Sequence, residues 1–223
     1  MPRTAGVGVT LAPGKPTSAG RPAERPRYQM SLSERMLLGR LVKRDEEAFN
    51  QIVRGYGDRV YNLVLRLVGS PAEAEDIAQE VFVTVFKSIE TYRGEAKLST
   101  WILRIAANHS KNRIKYLSRR RTTHQEPRDG IDAADLPDEG KSPAHAHFDA
   151  PDVMLEAAET EKLLQDAIAK LDEEQRLLVV LRDVEELSYD EIVEITGLPE
   201  GTVKSRLHRA RMALKDLLEG KLK

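Results

Sequence analysis

Residues 187–215 read LSYDEIVEITGLPEGTVKSRLHRARMALK. Ser188 followed three residues later by Glu191 is a capping box, and it predicts a helix running to about Thr196. Gly197 suits the left-handed residue that closes such a helix. A second helix follows from about Glu200, and two helices joined by a short Gly-containing turn make a helix-turn-helix. At 100° per residue, Val203, Leu207, Ala210 and Leu214 fall on one stripe, the side to be buried. Ser205, His208, Arg209 and Met212 point away from it, flanked by Lys204 and Arg211 on one side and Arg206 on the other. A merely solvated charged face carries acidic partners at i,i+4, and none occurs from Val203 to Lys215. An exposed cationic helix after a tight turn is what insertion into a DNA major groove requires, with polar groups for base edges and cations for phosphates.

The formal net charge of −1 conceals this island. Residues 1–30 hold five basic and one acidic side chain, residues 31–121 seventeen and eleven, residues 122–152 two and eight, and residues 153–223 eleven and sixteen. A basic first domain and an acidic second domain with its cations at one end form a chain able to hold a polyanion at two separated places. The boundaries follow from local composition. Residues 1–30, with five prolines among small and basic residues, read as a disordered basic tail. Helical periodicity dominates 31–121, with Gly55, Gly57, Gly69-Ser70-Pro71 and Gly94 as expected breakers. Residues 122–152 read as a flexible acidic linker, and 153–223 as a smaller helical domain. The expected fold is therefore all-α: two small helical domains, an N-terminal bundle and a C-terminal helix-turn-helix domain of four helices. Scarce aromatics, at 5%, agree with helix rather than sheet.

The absence of Cys removes disulfides and thiolate metal sites and fits a reducing cytoplasm. No apolar run approaches the ~20 residues of a membrane span, and no apolar stretch follows Arg3 as a signal peptide requires. No nucleophile with a neighbouring base, metalloprotease motif or phosphate loop in context is present, so neither an enzyme nor a cofactor is expected. Gly14-Lys15 lacks the glycine spacing of a phosphate loop, and His145 and His147 read as solvated residues of the linker rather than metal ligands.

Two further helices carry chemistry. Thr100–Arg121, TWILRIAANHSKNRIKYLSRRR, has seven cations and no acid. Ile102, Ile105, Ala106 and Tyr116 make one face, and Arg104, Asn108, Lys111 and Lys115 the opposite stripe, with Trp101 and Asn112 at its edge. The preceding loop, Thr91–Ser99, contains Tyr92, Arg93, Gly94 and Lys97. An aromatic and an arginine beside a basic helix can stack on unpaired bases, although core packing explains Trp101 equally well. Pro71–Ile89 starts with Pro and early Glu as helix N-termini do. It turns Ala74, Ile77, Ala78, Val81, Val85 and Ile89 inward and Asp76, Gln79, Glu80, Val83 and Lys87 outward. That acidic strip with its exposed valine suits a protein partner rather than DNA.

The stretches Asp76–Lys115, DIAQEVFVTVFKSIETYRGEAKLSTWILRIAANHSKNRIK, and Leu187–Lys215 together resemble bacterial RNA polymerase sigma factors of the extracytoplasmic-function (ECF) group. The resemblance covers roughly 45–121 and 153–218 and implies a role for each helix. Residues 31–121 match sigma region 2 and residues 153–223 sigma region 4. Asp76, Gln79, Glu80 and Val83 match the strip that docks on the clamp helices of the largest subunit of core polymerase; the flap of the second subunit is the other implied contact. Tyr92, Arg93, Lys97, Ser99, Thr100 and Trp101 match the region that opens promoter DNA and captures a flipped base of the minus-ten element, and Asn108, Lys111, Asn112 and Lys115 the helix that grips that element. Thr202, Lys204, Ser205, Arg206, His208, Arg209 and Arg211 match the minus-thirty-five recognition helix, with Ser205, His208 and Arg209 facing bases. The acidic linker is expected to thread the polymerase cleft. The resemblance further implies promoter DNA and an anti-sigma factor as partners, a cytoplasmic location with the anti-sigma factor holding it at the membrane, and transcription initiation in a stress or envelope response. The tail before Tyr28 is longer than such factors carry, and His208 stands where an aromatic is common. The alternative readings are a stand-alone helix-turn-helix regulator outside the polymerase holoenzyme and an RNA-processing enzyme.

Overall fold

A computed structural model describes residues 28–123 and 151–219 of the chain. Most of the tail and linker, including His145 and His147, lies outside the described residues. Every regular element among the described residues is helical. The first unit comprises α1 (Leu32–Val42), α2 (Glu46–Val68), α3 (Pro71–Ser88), a 3-10 turn (Ile89–Thr91) and α4 (Leu98–Thr123). The second comprises α5 (Pro151–Lys170), α6 (Glu173–Val179), a π-helical turn (Val180–Val184), α7 (Tyr189–Thr196) and α8 (Glu200–Glu219).

Helix ends sit where side chains can satisfy free backbone groups. Ser31 with Glu34, and Ser188 with Glu191, form complete capping boxes at α1 and α7. Asp45, Ser70 and Asp172 cap α2, α3 and α6, and Pro71 opens α3. Gly197 takes the left-handed conformation at φ 70° and returns its N–H to the Val193 carbonyl, closing α7 before the turn into α8. Tyr28 precedes the first helix, and its hydroxyl donates to Glu34 at 2.6 Å.

Contrary to expectation, α2 runs unbroken through Gly55 and Gly57. Each glycine costs a helix about 1 kcal/mol relative to Ala. Ala48, Ile52, Val60, Leu63, Val64 and Leu67 continue one buried stripe across both, and each fully buried aliphatic side chain contributes about 1.5–3 kcal/mol. Burial therefore overrides propensity.

In the first unit α2, α3 and α4 pack mutually, with α1 laid on α2; in the second, α8 packs on α5, α6 and α7. The two units also meet: α7 lies on α4, and α5, α6 and the π turn lie against α2. Buried residues of both units, from Leu41 to Ala210, form one continuous hydrophobic cluster.

Candidate nucleic-acid interface

α8 turns Val203, Leu207 and Ala210 fully inward and half-buries Leu214. Lys204, Ser205, His208, Arg209 and Arg211 are exposed, while Thr202 and Arg206 are half-buried. The outward cations are less bare than residues 203–215 alone suggest, because acids from α6, from the π turn and from the first turn of α8 itself reach them. Arg206 pairs with Glu174 of α6, Arg211 Nε donates to Asp183 of the π turn at 3.1 Å, and Lys204 pairs with Glu200 at 2.6 Å. Lys204 Nζ also lies 5.1 Å from the centre of the Tyr189 ring. The hydrogen bonds that Arg211 and Lys204 donate to the Asp183 and Glu200 carboxylates raise the proton affinities of the two cations above their ordinary values. Arg209 alone among the outward cations 204, 206, 209 and 211 has no ion pair with the described residues.

α4 buries Leu98, Trp101, Ile102, Leu103, Ala106, Ala107 and Ser110. Asn108, Lys111, Asn112 and Lys115 are exposed, and Arg104 is half-buried. Tyr116, expected on the apolar face, is 58% exposed. After Ser110 no described residue of α4 is fully buried, but Arg113, Ile114 and Leu117 continue a half-buried stripe, and Tyr116 falls outside it. Tyr92, Thr100 and Trp101, which the resemblance sets against DNA, are buried, Trp101 as the core-packing reading expects. Tyr92 packs on Trp101 at 5.4 Å between ring centres, and its hydroxyl donates to the Ala96 carbonyl at 2.7 Å. Burial, aided by the Glu34 carboxylate, pushes the Tyr92 phenol up to about 12. Arg93 and Lys97 stay exposed and Ser99 half-buried. A cleft of about 210 Å³ opens beside them between Arg93, Trp101 and Arg104, with Glu194 of α7 in its wall.

On α3, Asp76, Gln79, Glu80 and Val83 are exposed and share a shallow open depression with Thr84 and His109. Glu80 accepts from Arg113 at 3.2 Å and lies 3.3 Å from the His109 ring, while Arg113 also binds Glu73 at 2.7 Å. Phe86 extends the apolar part of this surface at 38% exposed, under the Arg44 guanidinium. Sequence reasoning passed over Phe86, although its place three residues after Val83 on one helix face was the available signal.

The structure also joins what sequence reasoning kept apart. Lys97 pairs with Glu191 at 3.0 Å, Arg104 with Glu194 at 3.1 Å, and Arg59 of α2 with Glu185 at 2.6 Å. Burial raises the proton affinity of Glu191, but hydrogen bonds from Ser188 and Lys97 outweigh it and hold the carboxyl below its ordinary value. No group of His, Asp and Glu among the described residues could hold a metal ion. Among those residues no helix is long and apolar enough to cross a membrane.

Comparison with known proteins agrees with this anatomy. The Sigma-70 region 2 family model matches residues 52–120, and the Sigma-70 region 4 model matches residues 161–214. The chain is 35% identical over 191 residues to an ECF RNA polymerase sigma-E factor of Haemophilus influenzae, covering 86% of this chain and 96% of that one. It is 36% identical over 193 residues to the ECF RNA polymerase sigma factor SigW of Bacillus subtilis, covering 85% and 98%. Among solved structures, CnrH in complex with the cytosolic domain of CnrY shares the fold at a TM-score of 0.58 and 20% identity, over 83% of this chain and 97% of that one. The sigma factor RpoE of Bartonella quintana, in complex with the anti-sigma factor NepR, does so at 0.56 and 21%, over 77% and 96%.

Proposed function

Because the chain belongs to the ECF RNA polymerase sigma factors and so directs transcription initiation, we propose that its three outward surfaces divide the work of a promoter-specific initiation factor. Residues 31–121 act as the region 2 domain and 153–223 as the region 4 domain. The α3 strip, Asp76, Gln79, Glu80 and Val83, docks on the clamp helices of core polymerase, and the region 4 domain meets the flap. Asn108, Lys111, Asn112 and Lys115 of α4 grip the minus-ten element. Arg93, Lys97, Ser99 and Thr100 guide the opened strand, and the buried Tyr92 and Trp101 shape the cleft that takes an unpaired base. On α8, Ser205, His208 and Arg209 read minus-thirty-five bases, while Thr202, Lys204, Arg206 and Arg211 hold phosphates.

The observation that carries this reading is the presence of two cationic helices, α4 and α8, on separate units of one chain, each with exposed polar residues between its cations. The protein does no chemistry itself; it lends specificity to polymerase in the cytoplasm. An anti-sigma factor is its expected antagonist. Affinity capture tests the docking assignment. The tagged protein is expected to retain core polymerase, and Val83→Asp to release it at an unchanged thermal midpoint, since substitutions at exposed sites stay within about 0.5 kcal/mol. Equal retention of core by Val83→Asp overturns the assignment.

A further inference from the structure

Residues 28–30, ahead of α1, are built into the loop that joins α3 to α4. Tyr28 and Met30 are half-buried, with Gln29 exposed between them. At one end the Tyr28 hydroxyl donates to the Glu34 carboxylate, at 2.6 Å to Oε1 and 2.5 Å to Oε2. Glu34 is itself fixed, because Oε2 also accepts from the Ser31 backbone N–H at 2.9 Å in the capping box of α1. The Tyr28 hydrogen bond does most to hold the Glu34 carboxyl below its ordinary value, and the charge of Lys97, on the loop, acts in the same direction.

At the other end Met30 packs against the core and lays its Cε methyl beside Gly94. Gly94 is left-handed at φ 69°, and a Cβ there would overlap that methyl. The methionine therefore fills the space that the missing side chain leaves. The loop is gripped from its own side as well, by the Tyr92 hydroxyl on the Ala96 carbonyl at 2.7 Å. Tyr28 walls a second hollow with Ala96, Lys97 and Thr100, and α1 lies on the 3-10 turn from which the loop departs. Arg93, Glu95 and Ala96 of this loop form one wall of the cleft beside Trp101. Ordering a loop costs conformational entropy for every residue fixed, so a wall already fixed before a ligand arrives raises affinity for it.

We propose that Tyr28–Met30 is a strap that presets the base-capture loop, with Met30 as a positioning residue for the unpaired minus-ten base and the Tyr28–Glu34 bond as its anchor. The inference rests on the reading of Tyr92 and Trp101 as shaping the cleft that takes this base. The strap touches no nucleic acid. It acts by keeping Gly94, and with it Arg93 and Glu95, in the arrangement that walls the cleft, and apparent affinity for the base falls with the fraction of chains in that arrangement.

The test uses the full chain bound to core polymerase and fluorescein-labelled fork templates, read by anisotropy. The templates carry a promoter selected by run-off transcription with its minus-ten strand left unpaired, and in a parallel set each nucleotide of that strand is in turn abasic. Wild type is expected to lose about tenfold in affinity at one abasic position, the scale of a stacked base. Tyr28→Phe/Met30→Ala removes the anchor bond and the apolar contact. It is expected to weaken binding of the intact template while leaving that abasic template unchanged, so that the ratio falls below about threefold at unchanged core retention. Met30→Leu keeps the anchor and the apolar volume and should hold the ratio within about twofold of wild type. A merely structural role would weaken both templates alike and leave the ratio where it was. An unchanged ratio in the double variant, or an equal fall in Met30→Leu, overturns the strap and leaves the cleft reading standing. If wild type loses affinity at no single abasic position, the cleft reading falls and the strap with it.

Discussion

Arg209→Ala is the substitution whose consequence the structure defines most narrowly. Arg209 is exposed on α8, next to His208 and one turn after Ser205, and it forms no ion pair with the described residues. Its neighbours Arg206 and Arg211 are tied to Glu174 and Asp183, so removing either also frees a carboxylate beside the reading face. Removing Arg209 deletes the proposed DNA contact and little else. Its loss should leave folding within about 0.5 kcal/mol, as exposed substitutions do. A base-contacting arginine is worth about 1–3 kcal/mol, which at 1.4 kcal/mol per decade is a loss of about 5- to 150-fold in affinity. The assay is anisotropy on a duplex carrying the upstream element of a promoter selected by the holoenzyme, at fixed salt, with thermal melting and core retention measured in parallel. A loss below twofold, or an equal fall in core retention, refutes the reasoning.

Three other outcomes follow from local physics. Gly197→Ala forces a side chain into the left-handed region, costing about 1–2 kcal/mol, and thermal melting should drop accordingly, whereas Gly55→Ala within α2 should raise it. Arg59→Ala leaves the Glu185 carboxylate buried without its partner, a penalty of about 1–3 kcal/mol. Opening the two units hydrates Glu185 and limits that penalty, so the variant should show faster proteolysis between the units before any loss of helix by circular dichroism. Tyr92 should ionise near 12 rather than its ordinary 10.0. Its folded value lies above its unfolded one, so its contribution to stability is complete below about pH 10 and fades as pH rises toward 12. Phenolate absorbance of wild type minus Tyr92→Phe measures this directly.

The helix-turn-helix was legible in sequence because its signals are local. Ser188, Glu191 and Gly197 each act on backbone groups within four residues, and the Val203–Leu207–Ala210 stripe needs only one helical period. The same holds for the α3 strip, where only Phe86 escaped notice. Errors arose where a distant partner decides the outcome. Gly55 and Gly57 look like breakers until the stripe they interrupt is seen to be buried. Tyr92 and Thr100 belong to a polar-looking loop and helix start, yet Trp101 packs on Tyr92 and Glu191 of α7 reaches Thr100, and Tyr116 lies outside the half-buried stripe of Arg113, Ile114 and Leu117. Arg206 and Arg211 of α8 looked unlaced because Glu174 and Asp183 lie 32 and 28 residues away, whereas Lys204 and Lys215 have i,i+4 partners, Glu200 and Glu219, that fall just outside the stretch 203–215. The contacts of α7 on α4 span 90 residues or more, a separation at which periodicity carries no signal.

Run-off transcription tests the central claim most directly. Core polymerase, a library of promoter fragments and the full chain are combined, with core alone as the reference. The account predicts discrete transcripts that appear only with the protein, from promoters sharing two short elements at constant spacing, and that vanish with Val83→Asp. Initiation identical to that of core alone, with no retention of core by the protein, would contradict it.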